Sequence, residues 1–307
     1  MRKIHNVILA VFATLFIYSC SDSDSFDPYK NQTIRPFHPT VLTFSSLNNE
    51  NTQTDKNWKF KYNADNSINS YSYTYKVKTN DGVEINEEHQ GTLTYYTDAA
   101  GNGGILNKLV VNNQMKEITA TQGYCDTITE DAKIVAGKIE SIKSIVQRTY
   151  LNGETTTFST NRTFTYTDKY CTSSTITTPE GSATYTYKWS NAGLSKATVY
   201  TRSNNDIIHE TYEYTYSKEL ATDYKFNTLS FIYGNMPEIY AAMSLFGETS
   251  AYKLEGEHFN GYRTINNEQH NLSPTSRQYT ILETTNSVTY TADSPGTSTY
   301  FYTFSNN

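Results

Sequence analysis

The alternation of aromatic and polar residues is the feature of this sequence that most limits its fold. In the stretch "YTYKWSNAGLSKATVYT", Tyr185, Tyr187 and Trp189 occupy every second position, with threonine and lysine between them. Successive side chains of a β-strand point to opposite faces, so this spacing predicts one aromatic face and one polar face. The same pattern recurs at Tyr71, Tyr73, Tyr75 and Val77, at Tyr212, Tyr214 and Tyr216, and at Tyr300, Tyr302 and Phe304.

Turn residues separate the alternating segments. The clearest hairpin signal is Asn152–Gly153, which lies between two strand-like runs. Further turn signals are Asn80-Asp81-Gly82, Gly101-Asn102-Gly103-Gly104, Pro179-Glu180-Gly181, Asn191-Ala192-Gly193 and Pro295-Gly296. Their number predicts an all-β fold, a large curved antiparallel meander or partial barrel of about a dozen strands, because a sheet this wide usually curls.

Two segments have apolar residues at helical spacing. The first contains Val135, Ile139, Ile142 and Val146, but its β-branched residues and Gly137 favour a strand over a helix.

The second segment, "NMPEIYAAMSLFGE", predicts one short helix. Asn235 can cap it, Pro237 suits its first turn, Ile239, Met243 and Phe246 share one side, and Gly247 ends it.

Tyrosine dominates the composition, with 27 Tyr and 14 Phe in a chain whose mean hydropathy is −0.62. Aliphatic residues are correspondingly few. We therefore expect a core of aromatic rings whose hydroxyl groups are hydrogen-bonded.

The N-terminus has the pattern of an export signal. Arg2 and Lys3 precede an apolar run from Val7 to Ile17, which is too short to cross a bilayer, since that takes about 20 residues. An aliphatic residue stands three positions before Cys20 and Ser19 stands directly before it, as in bacterial lipoproteins that are cleaved before an acylated cysteine. The alternative is an ordinary signal peptide with an incidental cysteine.

These features predict three regions. Residues 1–19 form a signal peptide that is removed, 20–33 form a flexible acidic tether, and 34–307 form a single β domain. Acyl chains on Cys20 would make the lipid bilayer a partner of the mature protein.

The charge of the chain argues against nucleic acid as a partner. The formal net charge is −6, and removal of Arg2 and Lys3 with the signal takes it to −8 (−6 − 2). Phosphate binding requires clustered lysine and arginine, and the sequence has no such run.

Two cysteines, Cys125 and Cys171, remain after acylation of Cys20. An exported compartment permits a disulfide between them, which would contribute about 3 to 4 kcal/mol. The alternative is two separate buried thiols.

Few residues suggest chemistry. Glu255 and Glu257 lie two positions apart and would share a face of a regular strand, an arrangement that resembles the paired carboxylates of a glycosidase, so they are the catalytic candidates. No metal-binding or cofactor-binding motif occurs, and we expect neither metal nor cofactor.

A family resemblance is carried by "IYSCSDSD", "WKFKYNADNSINSYSY", "YTYKWSNAGLSKATVY", "IYGNMPEIYAAM" and "TSTYFYTFSNN". Together these stretches resemble the lipid-anchored Bacteroidetes proteins that carry an uncharacterised domain described as porin-like in fold. The resemblance implies a curved sheet or partial barrel on an outer-membrane lipoprotein. It also implies that Asp22, Asp24 and Asp27 act as a surface-export tag.

Four functions are open on this basis. We expect a non-catalytic module that binds a glycan, peptide or partner protein, with Tyr185, Tyr187 and Trp189 as a candidate aromatic platform. The alternatives are a scaffold of an outer-membrane complex and a surface glycoside hydrolase that uses Glu255 and Glu257. A membrane pore is disfavoured, because the alternating segments present tyrosine and threonine where a lipid-facing wall needs aliphatic residues.

Overall fold

The structure is a computed structural model. It describes residues 39–47, 52–64, 67–79, 82, 84–97, 106–119, 123–203, 206–220, 240, 245–247, 252–283, 287–292 and 297–304.

Sixteen strands account for almost all of these residues. They are β1 (Pro39–Leu47), β2 (Gln53–Tyr62), β3 (Ile68–Lys78), β4 (Glu84–Thr97), β5 (Leu106–Thr119), β6 (Gly123–Val135), β7 (Lys138–Tyr150), β8 (Thr155–Thr167), β9 (Tyr170–Thr178), β10 (Gly181–Ser190), β11 (Gly193–Ser203), β12 (Asp206–Leu220), β13 (Tyr252–Ile265), β14 (Glu268–Glu283), β15 (Ser287–Ala292) and β16 (Thr297–Phe304). The predicted all-β antiparallel class is confirmed, whereas the predicted count of about a dozen strands is too low.

The sheet closes on itself. Each strand pairs antiparallel with the next along the chain, and β1 pairs with both β2 and β16, so the strands form one closed barrel. An open sheet of this width would leave two edges of unpaired N–H and C=O groups, and closure removes both. The barrel is thus complete, where the sequence predicted a meander or a partial barrel.

The hairpin at Asn152–Gly153 forms as predicted. The amide of Tyr150 donates to the carbonyl of Glu154 at 2.9 Å, and the amide of Glu154 donates to Oδ1 of Asn152 at 3.0 Å. Gly153 has a φ of 84°, which a residue with a β-carbon rarely adopts.

Two other turns explain part of the difference between the predicted and the observed number of strands. Ala136 and Gly137 have φ of 49° and 73°, and Asn266 and Asn267 have φ of 50° and 68°. Two consecutive positive φ values characterise the type I′ turn, whose twist matches that of paired strands. The segment from Val135 to Val146 is therefore extended, as predicted, but its turn divides it between β6 and β7.

Side chains alternate between a buried inner face and a solvated outer face. One row of the inner face consists of six residues in register across β1 to β6, and each of them is at most 8% exposed. They are Leu42, Trp58, Tyr73, His89, Met115 and Asp126.

Aromatic rings form much of the core, as the composition predicted. Trp58 is 1% exposed and stacks on Tyr73 with ring centroids 4.2 Å apart and on Phe60 at 5.8 Å. Aliphatic residues such as Leu109 and Ile139, both fully buried, fill the space between the rings.

Part of the connection between β12 and β13 packs into this core. Leu245 and Phe246 are buried, the carbonyl of Leu245 accepts from the amide of Ile139 at 2.9 Å, and the ring of Phe246 lies 5.5 Å from that of Phe164. A bridge between Tyr170 and Gly247 continues the contact.

The predicted short helix lies largely outside the described residues. Tyr240 has helical backbone, and Gly247, the predicted stop, has a φ of 81°. Asn235, Pro237, Ile239 and Met243 are outside the described part. In the portion of the chain that the structure describes, no helix combines the length and apolarity needed to span a membrane.

Candidate functional site

The predicted anchor and tether fall outside the described residues. Cys20, Asp22, Asp24 and Asp27 all precede β1, so their roles stay predictions.

The predicted aromatic platform faces the interior of the barrel. Tyr187 is 3% exposed, and Tyr185 and Trp189 are partly buried against the core. The indole N–H of Trp189 donates to the carbonyl of Cys171 at 2.6 Å, and its ring stacks on that of Tyr170 at 4.7 Å. These three rings are core residues, because a chain with few aliphatic residues must bury its rings, and they do not form a surface platform.

The two candidate carboxylates do not share a face. In the pairing of β12 with β13, Thr215 lies opposite Gly256 and Tyr216 opposite Leu254, which leaves Glu255 without a register partner in a β-bulge. Glu255 is exposed, whereas the side chain of Glu257 is 9% exposed on the inner face. The predicted pair is thus divided between two faces, because Glu255 is itself the extra residue of the bulge.

Glu257 lies near one cation inside the barrel. Its Oε1 is 3.7 Å from Nη1 of Arg277. Burial raises the pKa of Glu257, and the charge of Arg277 opposes that rise. Tyr214 and Tyr279 adjoin this carboxyl group, so it belongs to a buried polar cluster.

The possible disulfide between Cys125 and Cys171 is not formed in the structure. Cys125 is exposed on β6, whereas Cys171 is fully buried on β9. Register places Cys125 level with Thr155 on β8, whereas Cys171 lies opposite Tyr166, about 36 Å further along the same strand. A disulfide needs Cα atoms within about 7 Å.

A second buried polar cluster surrounds Glu130. The hydroxyl of Tyr240 donates to its Oε2 at 2.5 Å, and the hydroxyl of Ser144 donates to its Oε1 at 3.1 Å. Burial raises the pKa of Glu130, while these hydrogen bonds and the charge of Arg162 partly offset the rise. Both carboxyl oxygens therefore have internal partners, which suits a structural role. Among the described residues, no three His, Cys, Asp or Glu side chains gather closely enough to hold a metal ion.

A polar groove on the outer wall is the candidate functional site. It has a volume of about 600 Å³ and crosses β2 to β6. Pockets of this size bind small ligands in many proteins. The residues that line it are Lys59, Lys61, Ser70, Tyr71, Ser72, Gln90, Gly91, Thr92, Asn112, Asn113, Gln114 and Thr127.

Two register rows form the groove. The first is Lys59, Ser72, Gln90, Gln114 and Thr127, and the second begins Lys61, Ser70, Thr92 and Asn112. Neighbouring strands lie about 4.8 Å apart, so a row of five residues extends for about 19 Å. The groove thus presents amide, hydroxyl and ammonium groups in two parallel lines.

The floor of the groove is the inner row between these two lines, which contains Tyr71, Gly91 and Asn113. A β-carbon on Gly91 would lie 2.2 Å from the ring of Tyr71, so this ring packs directly against the glycine backbone. Nδ2 of Asn113 donates a hydrogen bond to Nδ1 of His89 at 2.9 Å. Because an amide nitrogen only donates, Nδ1 of His89 is the acceptor.

Sequence reasoning missed this groove. Its lining comes from five strands, and their common location depends on register across four hairpins. The available signal was a concentration of amides and hydroxyls at alternating positions in "INSYS", "HQGT" and "VNNQM".

Comparisons with known proteins identify the fold alone. No protein-family model matches the chain, and no curated protein matches its sequence. Two crystal structures resemble it over 88% of this chain and 100% of theirs. A porin-like protein from Bacteroides vulgatus has 10% identity and a TM-score of 0.50, and a porin-like protein from Bacteroides uniformis has 13% identity and a TM-score of 0.45.

Proposed function

We propose that this chain is a non-catalytic glycan-binding protein of the cell envelope, and that the outer groove is its binding surface. The observation that carries the proposal is the pair of rows of amide and hydroxyl side chains along a groove of about 600 Å³. Amides both donate and accept hydrogen bonds, which matches the hydroxyl groups of a sugar. The length of the rows suits a chain of several sugar units.

The placement of the acidic residues supports a non-catalytic role. Glu130 and Glu257 are enclosed by the barrel, and no acidic residue lines the groove. Hydrolysis of a glycoside typically requires two carboxyl groups on either side of the bond that is cleaved.

The outer wall supports a barrel that stands in water. On β4, four successive exposed outer positions, Glu88, Gln90, Thr92 and Thr94, are polar, and Tyr96 follows them. A barrel that spans a membrane needs an outward-facing apolar band about 25 Å tall. The porin-like protein from Bacteroides vulgatus is similar to this chain in fold, and we propose a tethered barrel in place of a channel.

We further propose that acylated Cys20 holds the protein on the outer membrane, on the cell surface. The test is fractionation of cells that express the wild type or Cys20→Ala. The wild type is expected in the membrane fraction with an acylated N-terminal cysteine by mass spectrometry, and Cys20→Ala is expected outside it. A bare thiol in the purified wild type contradicts the proposal.

Glycan binding is tested with an array of bacterial, plant and host polysaccharides, followed by titration calorimetry. Gln90→Ala with Gln114→Ala removes the central amides and is expected to weaken binding about fivefold or more, since each lost hydrogen bond costs about 0.5 to 1.5 kcal/mol. Asn161→Ala with Asn260→Ala is the matched control, because both side chains are exposed outside the groove. Equal losses in the two variants would refute the groove as the site.

One observation favours the second candidate function, a scaffold that binds another envelope protein. At the β7–β8 turn, Leu151 is 81% exposed beside Tyr150, and the guanidinium of Arg148 lies 3.6 Å from the ring centroid of Tyr124. Arginine and tyrosine are enriched where binding energy concentrates in protein interfaces. Cross-linking in cells would recover a stoichiometric partner from the wild type and lose it from Leu151→Asp.

A further inference from the structure

We propose that the ligand of the groove is an acidic oligosaccharide, one that carries carboxylate or sulfate groups along its length. This inference rests on the glycan-binding function proposed above. It names the chemical class of sugar that the groove would select.

The charge of the lining carries the inference. The groove contains two lysines and no acidic residue, in a chain whose 31 acidic residues outnumber its 25 lysines and arginines. The surface there has the opposite sign to the protein as a whole. A local excess of one sign attracts ligands of the other sign and increases their association rate.

Both lysines lie at the same end of the groove. Lys59 begins one row and Lys61 begins the other, both exposed on the outer face of β2. Two residues along a strand span about 7 Å. The groove therefore has a cationic end on β2 and a neutral hydrogen-bonding end on β6.

The outer row next to that of Lys59 consists of Asn57, Thr74, Glu88 and Lys116, and it does not neutralise the two groove lysines. Its acidic residue, Glu88, registers opposite Lys116 on β5 and so faces a cation of its own. Ammonium groups form stronger hydrogen bonds to carboxylate or sulfate than to neutral hydroxyls. Affinity for an acidic sugar should therefore exceed affinity for its neutral counterpart, and the difference should shrink as salt is added.

The test compares ligands that differ only in charge. The full-length chain, purified in mild detergent, is titrated with polygalacturonate and with its methyl ester, and with dextran sulfate and dextran. The wild type is expected to bind the acidic member of at least one pair about tenfold more tightly or better.

Two double variants test whether the groove lysines cause the preference for the acidic ligand. Lys59→Gln with Lys61→Gln removes both charges and is expected to abolish the preference for the acidic ligand while thermal unfolding stays unchanged. Lys143→Gln with Lys188→Gln is the control, since both lysines are exposed on strands outside the groove, and it should retain the preference.

The remaining outcomes separate this inference from the proposed function. If acidic and neutral ligands bind equally and the Gln90→Ala and Gln114→Ala variant weakens both, the acidic class is overturned and glycan binding stands. If neither acidic polymer binds more tightly than its neutral counterpart in any variant, the inference is overturned. If the control variant loses the preference as well, the groove lysines do not carry it.

Discussion

The hydroxyl of Tyr240 lies 2.5 Å from Oε2 of Glu130, joining residues 110 positions apart in the chain. Tyr240 is buried, and Glu130 is half-buried on β6. This hydrogen bond ties the connection between β12 and β13 to the inner wall of β6.

Tyr240→Phe is expected to destabilise the protein by about 1 to 3 kcal/mol, because it leaves one buried carboxyl oxygen of Glu130 without its donor. Urea denaturation measures the change. Tyr200→Phe is the matched control, since Tyr200 is 40% exposed, and it should stay within about 0.5 kcal/mol of the wild type. An equal effect of the two substitutions would show that the buried hydroxyl has no structural role.

Glu130→Gln is expected to change how stability depends on pH. Burial raises the pKa of Glu130 above 4.5 in the folded state, so the folded protein binds this proton more tightly than the unfolded chain. The stability contributed by the protonated form is complete below the unfolded pKa and is lost as pH rises through the folded pKa. The variant lacks this loss and should gain stability relative to the wild type as pH rises above about 4.5.

Urea denaturation at a series of pH values tests this expectation. Glu257→Gln is a useful comparison, because burial raises the pKa of Glu257 in the same direction. A stability difference between Glu130→Gln and the wild type that is flat across pH would contradict the prediction.

Gly91→Ala is expected to cost about 1 to 3 kcal/mol, since its β-carbon would overlap the ring of Tyr71 at 2.2 Å. A double-mutant cycle checks the cause. In a Tyr71→Ala background the ring is gone, and the cost of Gly91→Ala should largely disappear. Additive effects would mean that the glycine is required for another reason.

Trp189→Phe is expected to reduce stability by about 1 kcal/mol through loss of the hydrogen bond to the Cys171 carbonyl. Glycan affinity should not change, because the ring packs on the inner face. Reduced affinity at unchanged stability would restore Trp189 as a binding residue.

Thiol labelling tests the placement of the cysteines. In a chain that begins at Ser21, Cys125 should react with a maleimide in the folded state, and Cys171 should react only after unfolding. Two reactive thiols in the folded protein, or none, would contradict the structure.

The sequence predicted which side chains of a strand are buried, but it did not predict which residues of neighbouring strands lie side by side. Alternation identified the buried side of Tyr71 and Tyr73, because the period of a strand is a local property. The groove depends on Lys59 lying opposite Ser72 and Ser72 opposite Gln90. Such register is set by turn lengths and long-range pairing, which a single sequence does not specify.

The error at Glu255 and Glu257 has a similar origin. A bulge inserts one residue and reverses the alternation beyond it, and Gly256 was the available sign, since glycine within a strand often marks a bulge. Tight turns such as Asn266–Asn267 were missed because their residues are also common in exposed strands of this chain.

The pairing of β1 with β16 has a consequence for biosynthesis. The first strand of the barrel to leave the ribosome, β1, acquires its second neighbour only when β16 has been synthesised, about 250 residues later. Until then the growing sheet has unpaired edge strands, which can pair with other polypeptides. Premature termination anywhere before Thr297 should thus yield a product prone to aggregate, and chaperones would be needed to protect the chain until β16 pairs with β1.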